Sequence, residues 1–196
     1  MGRKRGFDVD VAVQQATDVF WRQGYDGASI AELTAAMGIN PPSLYAAFDS
    51  KEGLFLAVLD RYCDRRSAFI AWVVAGTSAR DVAERALYGM IELATDSNEP
   101  AGCLLVKGQL TCSSAPPAVP RRLIGARVLA HEALHERLRC APDLVGDAGV
   151  LARFLSTMSD GIGLQAQSGA SRIELREMVA EALRAWPWAS EPSTMA

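Results

Sequence analysis

The 196 residues, 49% hydrophobic and 22% charged, hold enough apolar surface for one small and one larger folded unit and exclude a chain that is disordered throughout. No apolar run reaches the roughly 20 residues a membrane-spanning helix needs, and the start, MGRKRGFDVD, has no apolar centre of a secretory signal, so a cytoplasmic protein without a membrane partner is expected. A net charge of −3 with a pI near 5.4 argues, taken alone, against a broadly basic nucleic-acid binder, and four cysteines with no C-x-x-C pair beside only two histidines lead us to expect neither metal nor cofactor.

Arg3, Lys4 and Arg5 form a basic arm before an otherwise acidic stretch: between Gly6 and Ser50 the only basic residue is Arg22, against six acidic ones. Ala12, Ala16, Val19 and Phe20 recur at i, i+4, i+7 and i+8 and predict a first amphipathic helix that stops at Gly24. Ser29 and Glu32 have the S-x-x-E spacing in which each side chain satisfies an orphan backbone N–H, so a second helix starts at Ile30. Its stripe is Ile30, Leu33 and Met37, and Gly38 stands where helices commonly end in a left-handed residue. Asn40 is a good N-cap, and Pro41 and Pro42 fall where a missing N–H costs nothing. In this third helix Leu44 and Phe48 face the second, leaving Asn40, Pro41, Pro42, Ser43, Tyr45, Ala46 and Ala47 to point elsewhere. Two short helices joined by a glycine turn make a helix-turn-helix, a motif that presents its second helix to the DNA major groove.

Ser50 reads as the next N-cap, and Lys51 then puts a cation in a first helical turn, where the macrodipole opposes it unless a phosphate binds there. A long amphipathic segment carries Leu54, Phe55, Val58, Leu59, Tyr62, Phe69, Trp72 and Val73 as far as Gly76. After a Thr77-Ser78 cap, Val82, Ala86, Leu87, Met90, Ile91 and Ala94 define another helix, closed by the polar break 96–100. A short helix from Gly102 to about Leu110 follows, then the loop 113–117 and a run from Val119 to Leu138 with Leu123, Val128, Leu134 and Leu138. Asp147 to Gln167 carries Leu151, Leu155, Met158 and Ile162 on one stripe, beside the small residues Ser156, Ser159, Gly161 and Gly163. A second capping box, Ser171 with Glu174, opens a last helix through Met178, Ala182 and Leu183 to Trp186, stopped by Pro187. These last two stripes either pack against the same pair of a second copy as a four-helix bundle or close the chain's own core. No alternating strand pattern occurs, so the expected fold is all-α. We expect a three-helix N-terminal domain over 1–50, a larger helical domain over 51–190 and a frayed tail, 191–196.

From Phe7 to Leu54 the chain resembles the TetR family of bacterial transcriptional regulators. The match rests on Val19-Phe20-Trp21-Arg22-Gln23-Gly24-Tyr25, Ser29-Ile30-Ala31-Glu32-Leu33, Gly38-Ile39, Leu44-Tyr45, Phe48, Lys51 and Leu54. The resemblance implies that Ser29, Tyr45 and Lys51 contact phosphates and that residues 40–46 meet base edges of a double-stranded operator. It departs from the family at Ala47, where His or Tyr is frequent. It implies a homodimer built on the last two helices, through Leu151, Leu155, Met158, Ile162, Met178, Ala182, Leu183 and Trp186. It also implies a small-molecule effector, of unknown identity, bound in the C-terminal domain; candidate lining residues are Phe69, Trp72, Tyr88, Cys103, Leu104 and Val106. Effector binding would tilt the linker helix and separate two reading heads that span half-sites about 34 to 36 Å apart. With Pro41, Pro42 and Ala46 offering no hydrogen-bonding fork, Asn40 and Ser43 are the polar readers, and thymine methyl contacts and DNA shape carry more of the specificity. The basic arm would track the minor groove. The expected function is a ligand-released repressor without enzymatic activity.

Three other readings follow from single features. Cys103 near a helix start is a candidate thiol sensor of oxidants or electrophiles within the same fold. His131, Glu132 and His135 in H-E-A-L-H match the spacing of zinc proteases, but a third ligand would have to come from Asp143 or Glu136. The acidic head also fits a helical interaction module that does not bind DNA.

Overall fold

The computed structural model describes residues 7–186 and 188; Arg3, Lys4, Arg5 and the 191–196 tail lie outside the described residues. Among the described residues the chain forms α1 (Val9–Gly27), α2 (Ile30–Met37), α3 (Pro41–Phe48), α4 (Lys51–Val74), α5 (Ala79–Ala94), α6 (Leu104–Leu110), α7 (Ala118–Arg139), α8 (Ala148–Gln167) and α9 (Arg172–Ala185), with no strand. The all-α expectation holds, and the starts of helices fall where capping residues place them. Asp8, Ser29, Asn40, Ser78, Asp147 and Ser171 each accept a backbone N–H with their side chains, so the orphan donors of six helix starts are satisfied locally.

The division of the chain differs from the expected break after residue 50. Among the described residues one compact unit contains 7–65 together with 103–127, and the other contains 66–102 with 128–186 and 188, so the boundaries run inside α4 and inside α7. The reason is apolar burial. Leu104, Val119 and Leu123 are fully buried and join Phe20, Trp21, Leu33, Leu44, Leu54, Phe55 and Leu59 in one core. The small domain is therefore completed by α6 and the start of α7, about fifty residues further along the chain.

Gly24 shows how tightly α6 closes on α1. Instead of ending there, α1 breaks its helical path at Gly24, with φ 76° and ψ 177°, and resumes to Gly27. A Cβ on Gly24 would lie 2.0 Å from the Thr111 hydroxyl oxygen, and the Asp26 N–H donates to the Thr111 carbonyl at 2.9 Å. Both the left-handed backbone and the space require glycine at this position.

In the second unit α5 is the central helix: Val82, Ala83, Leu87, Ile91 and Ala94 are fully buried, and α8 and α9 both lie against it. Leu151, Leu155, Ile162, Leu175, Val179 and Leu183 fill this core. The α4–α5 corner is tied to the far end of α7, because the Arg137 guanidinium donates twice to the Gly76 carbonyl, at 2.9 and 2.6 Å, and Asp143 accepts from Ala79 N–H at 2.7 Å. Val128, expected on the α7 stripe, is instead 45% exposed. At 100° per residue it lies about 140° round the helix from Leu123, off the line that Leu123, Leu134 and Leu138 share.

Replacing Gly24 with alanine is expected to destabilise the protein by about 2 kcal/mol, through a disfavoured φ and the collision with Thr111. Urea unfolding of Gly24→Ala against the parent measures it, and the companion Thr111→Gly change should return part of the loss by removing the colliding atoms.

Candidate nucleic-acid interface

The motif is assembled by local contacts. Ser29 and Glu32 form the full capping box: Ser29 Oγ accepts from Glu32 N–H at 3.1 Å while the Glu32 carboxylate accepts from the Ser29 N–H at 3.0 Å. Gly38 then adopts the left-handed conformation, φ 63° and ψ 30°, that turns the chain, and its N–H and that of Ile39 return to carbonyls of α2. Asn40 Oδ1 caps α3 by accepting from Ser43 N–H at 2.9 Å, with Pro41 at the first helical position. Leu44 and Phe48 are buried, so Pro41, Pro42, Tyr45 and Ala46 form the solvent face of α3, with Tyr45 47% exposed. Ala47 does not share that face; it is half-buried against the core.

This geometry assigns the polar atoms of the predicted site. Asn40 uses its carbonyl oxygen in the cap and keeps its amide N–H groups as donors. Ser43 is half-buried behind Pro41 and Pro42, at the residue whose N–H the cap holds. Ser29 is used differently from the implied phosphate contact: its hydroxyl donates to the Glu32 carboxylate at 2.6 Å, so its one proton is committed and a carboxylate stands beside it. Hydrogen bonds from the Ser29 hydroxyl and backbone hold the Glu32 carboxyl below the ordinary carboxylate range.

Lys51 opens α4, with Ser50 Oγ accepting from Gly53 N–H at 3.0 Å. Its Nζ lies 4.6 Å from the centroid of the Tyr25 ring, a cation–π contact that offsets the opposition of the helix dipole. Burial lowers its pKa, and the nearby Asp26 carboxylate acts in the opposite direction. Tyr25 belongs to the matched stretch of sequence, but its contact with Lys51 and the part of Asp26 had no signal there, because both reach Lys51 only through the tertiary fold.

The candidate lining residues are divided between the two units. Phe69, Trp72 and Tyr88 belong to the second unit, where Phe69 and Trp72 rings are 6.0 Å apart and the Arg176 guanidinium lies 4.8 Å from the Tyr88 ring. Cys103, Leu104 and Val106 belong to the first unit, with Leu104 and Val106 buried and Cys103 Sγ 3.4 Å from the Tyr62 hydroxyl. Open hollows of about 520 and 460 Å³ lie elsewhere, the first beside Val13, Phe48 and Arg61 and the second beside Thr95, Gly169 and Arg172.

Of the residues predicted for self-association, Leu151, Leu155, Ile162 and Leu183 are corrected to core, since the chain buries them by itself. Trp186 packs on Phe154, with ring centroids 5.8 Å apart, while Met158, Met178 and Ala182 stay half-buried.

In H-E-A-L-H the two rings stack with centroids 6.5 Å apart, and His131 Nδ1 lies 3.2 Å from Ser156 Oγ. Burial, Arg153 and His135 lower the His131 pKa. Both suggested third ligands are engaged elsewhere, Asp143 at the start of α5 and Glu136 with Arg139. Among the described residues no His, Cys, Asp and Glu side chains assemble into a group of three that would hold a metal.

Residues 12–58 match the family model described as bacterial regulatory proteins, tetR family. HTH-type transcriptional repressor ComR of Escherichia coli (strain K12) is 34% identical over 194 residues, covering 95% of this chain and 92% of that protein. The chain belongs to the tetR family. HTH-type transcriptional repressor BdcR of Escherichia coli (strain K12) is 32% identical over 178 residues, 87% of this chain and 84% of its own. A cysteine mutant of the TetR family regulator CifR, complexed with 26-base-pair double-strand operator DNA, is 41% identical and superposes with a TM-score of 0.86, covering 94% of this chain and all of that one. As a tetR-family protein this chain is a helix-turn-helix regulator of transcription, and among the described residues no helix is long and apolar enough to cross a membrane.

The Ser29–Glu32 box gives a pH signature. Because the folded Glu32 pKa is lowered, its contribution is fully present above the unfolded carboxyl pKa, about 4.3, and is lost as pH falls through the folded value. The stability difference between the parent and Glu32→Gln, followed by chemical unfolding, should be flat from pH 7 to pH 5 and shrink in stronger acid.

Proposed function

We propose that this tetR-family chain is an operator-binding transcriptional repressor that works as a homodimer, is released by a small-molecule effector and has no enzymatic activity. The observation that carries the reading is the capped α2–turn–α3 unit whose exposed face consists of Asn40, Pro41, Pro42, Tyr45 and Ala46, with Lys51 at the next helix start. The operator complex of the similar CifR protein supports it. Phosphate contacts come from Tyr45, Lys51, the backbone N–H groups at the starts of α2 and α3 and the arm residues Arg3, Lys4 and Arg5, in place of a wide cationic patch. Base reading falls to the Asn40 amide, Ser43 and apolar contacts from Pro41, Pro42 and Ala46.

The dimer forms on the outer face of α8 and on α9. Val150, Phe154, Gly161 and Leu164 share one side of α8; Val150 is 60% and Leu164 43% exposed, and a Cβ on Gly161 would meet nothing within 4 Å. Met178 and Ala182 on α9 supply the rest. An apolar face with a small residue at its centre suits close approach of an identical helix pair.

A duplex bearing the operator, taken from DNA upstream of the gene or selected from random sequence, should bind tightly at 50 mM salt and much more weakly at 200 mM. A Tyr45→Ala/Lys51→Ala variant should lose about tenfold or more in affinity and show a smaller salt slope. Binding that ignores both salt and the variant would instead favour a protein-interaction module. Gly161→Arg should fold normally but elute as a monomer in size-exclusion chromatography and bind DNA weakly; a persistent dimer would place the interface elsewhere.

A further inference from the structure

The end of α1 is held by an unusually complete set of hydrogen bonds. Asp26 Oδ2 accepts from Ser113 N–H and from Ser113 Oγ, each at 2.8 Å. Its Oδ1 accepts from Ser114 N–H at 3.2 Å and from Ser114 Oγ at 2.6 Å. An ionised carboxylate offers about four lone-pair sites, and here four donors of the α6–α7 loop occupy them. Lys51 Nζ lies 4.6 Å from the centroid of the ring of Tyr25, the residue next to Asp26. The Asp26 charge already acts on Lys51, favouring its protonated form. Loop, carboxylate and lysine all belong to the first unit.

We propose that Asp26 is a positioning residue for DNA binding, a latch by which the α6–α7 loop decides whether Lys51 is available to a phosphate. With Ser113 and Ser114 in place, the carboxylate has no lone pair left for an ammonium group, and Lys51 stays on Tyr25 with its charge free to meet the operator backbone. When the loop withdraws, the carboxylate regains its lone pairs and pairs with Lys51, competing with the phosphate for the same N–H groups. The loop donors are neutral, so the carboxylate keeps its full negative charge throughout, and what their departure frees is the lone pairs that an ammonium group can occupy.

The proposal rests on the operator-binding reading above, and the test separates the two. Affinity for the operator duplex is measured by fluorescence anisotropy at low salt for the parent, Ser113→Ala/Ser114→Ala and Asp26→Asn, with circular dichroism and thermal unfolding run on each. The serine variant removes the two hydroxyl donors and keeps the two backbone N–H donors, which frees half of the carboxylate's lone-pair sites for Lys51, and it should bind about fivefold more weakly. Asp26→Asn loses one of the two acceptor oxygens and removes the charge, so it should bind within about twofold of the parent although its thermal stability also falls. In a Lys51→Ala background the serine substitutions should have no further effect on binding. If Asp26→Asn weakens binding as much as the serine variant does, or if the serine variant binds like the parent, the latch is structural only and the proposal is overturned. A parent protein that binds no operator overturns the repressor reading and the latch with it.

Discussion

The aromatic core of the first unit is closed by a helix that lies far from it in sequence, and the rest of the head depends on that closure. Phe20, Tyr25 and Phe55 pack ring on ring, with Phe20 and Phe55 centroids 4.7 Å apart and Tyr25 and Phe55 5.2 Å apart. Above them Leu104, Gly108, Val119 and Leu123 complete the apolar enclosure, Gly108 coming close enough that a Cβ would meet Phe55 at 3.4 Å. The bend at Gly24 is the geometric condition for this, since it lets Thr111 approach the backbone of α1. The helix-turn-helix is therefore one wall of a larger core rather than a freestanding three-helix domain, and its α1 takes its final turn from a segment some ninety residues away.

Electrostatics in the head follow from the same arrangement. The stretch is acidic by composition, yet three of its six carboxylates are engaged by hydrogen bonds in the fold: Asp8 caps α1, Glu32 closes the α2 box and Asp26 holds the loop at Ser113 and Ser114. Hydrogen bonds of this kind stabilise the charged form and localise it, which lowers both Glu32 and Asp26 below the ordinary range. These acidic residues thus serve structure. Lys51 illustrates the balance, because Tyr25 and Asp26 make a cation tolerable at a helix start where it would otherwise be disfavoured.

In the second unit the competition is between core and interface. The α8 helix has two apolar sides, one packed in its own chain and one open, which in the proposed dimer would face a copy. Leu151, Leu155 and Ile162 go inward against α5, and Val150 and Leu164 are left open. The more regular stripe is the one the single chain buries, because intrachain packing needs no second copy.

The caps at Ser29, Asn40, Ser78 and Ser171, the left-handed turn at Gly38 and the helix starts that follow them were legible in the residues themselves, because each depends on hydrogen bonds within four positions of chain. The helical class and the exposed face of α3 were legible for the same reason, periodicity being a local property. The break inside α1, the unit boundaries within α4 and α7, the commitment of the Ser29 proton to Glu32 and the inward turn of the α8 stripe were not. Nor were the partners of Lys51, which come from residues 25 and 26 on another helix. A sequence determines which backbone groups can be satisfied nearby and which side chains want burial; which surfaces meet, and so which apolar stripe is core and which polar atom remains free, is settled only when segments distant in the chain compete for the same space.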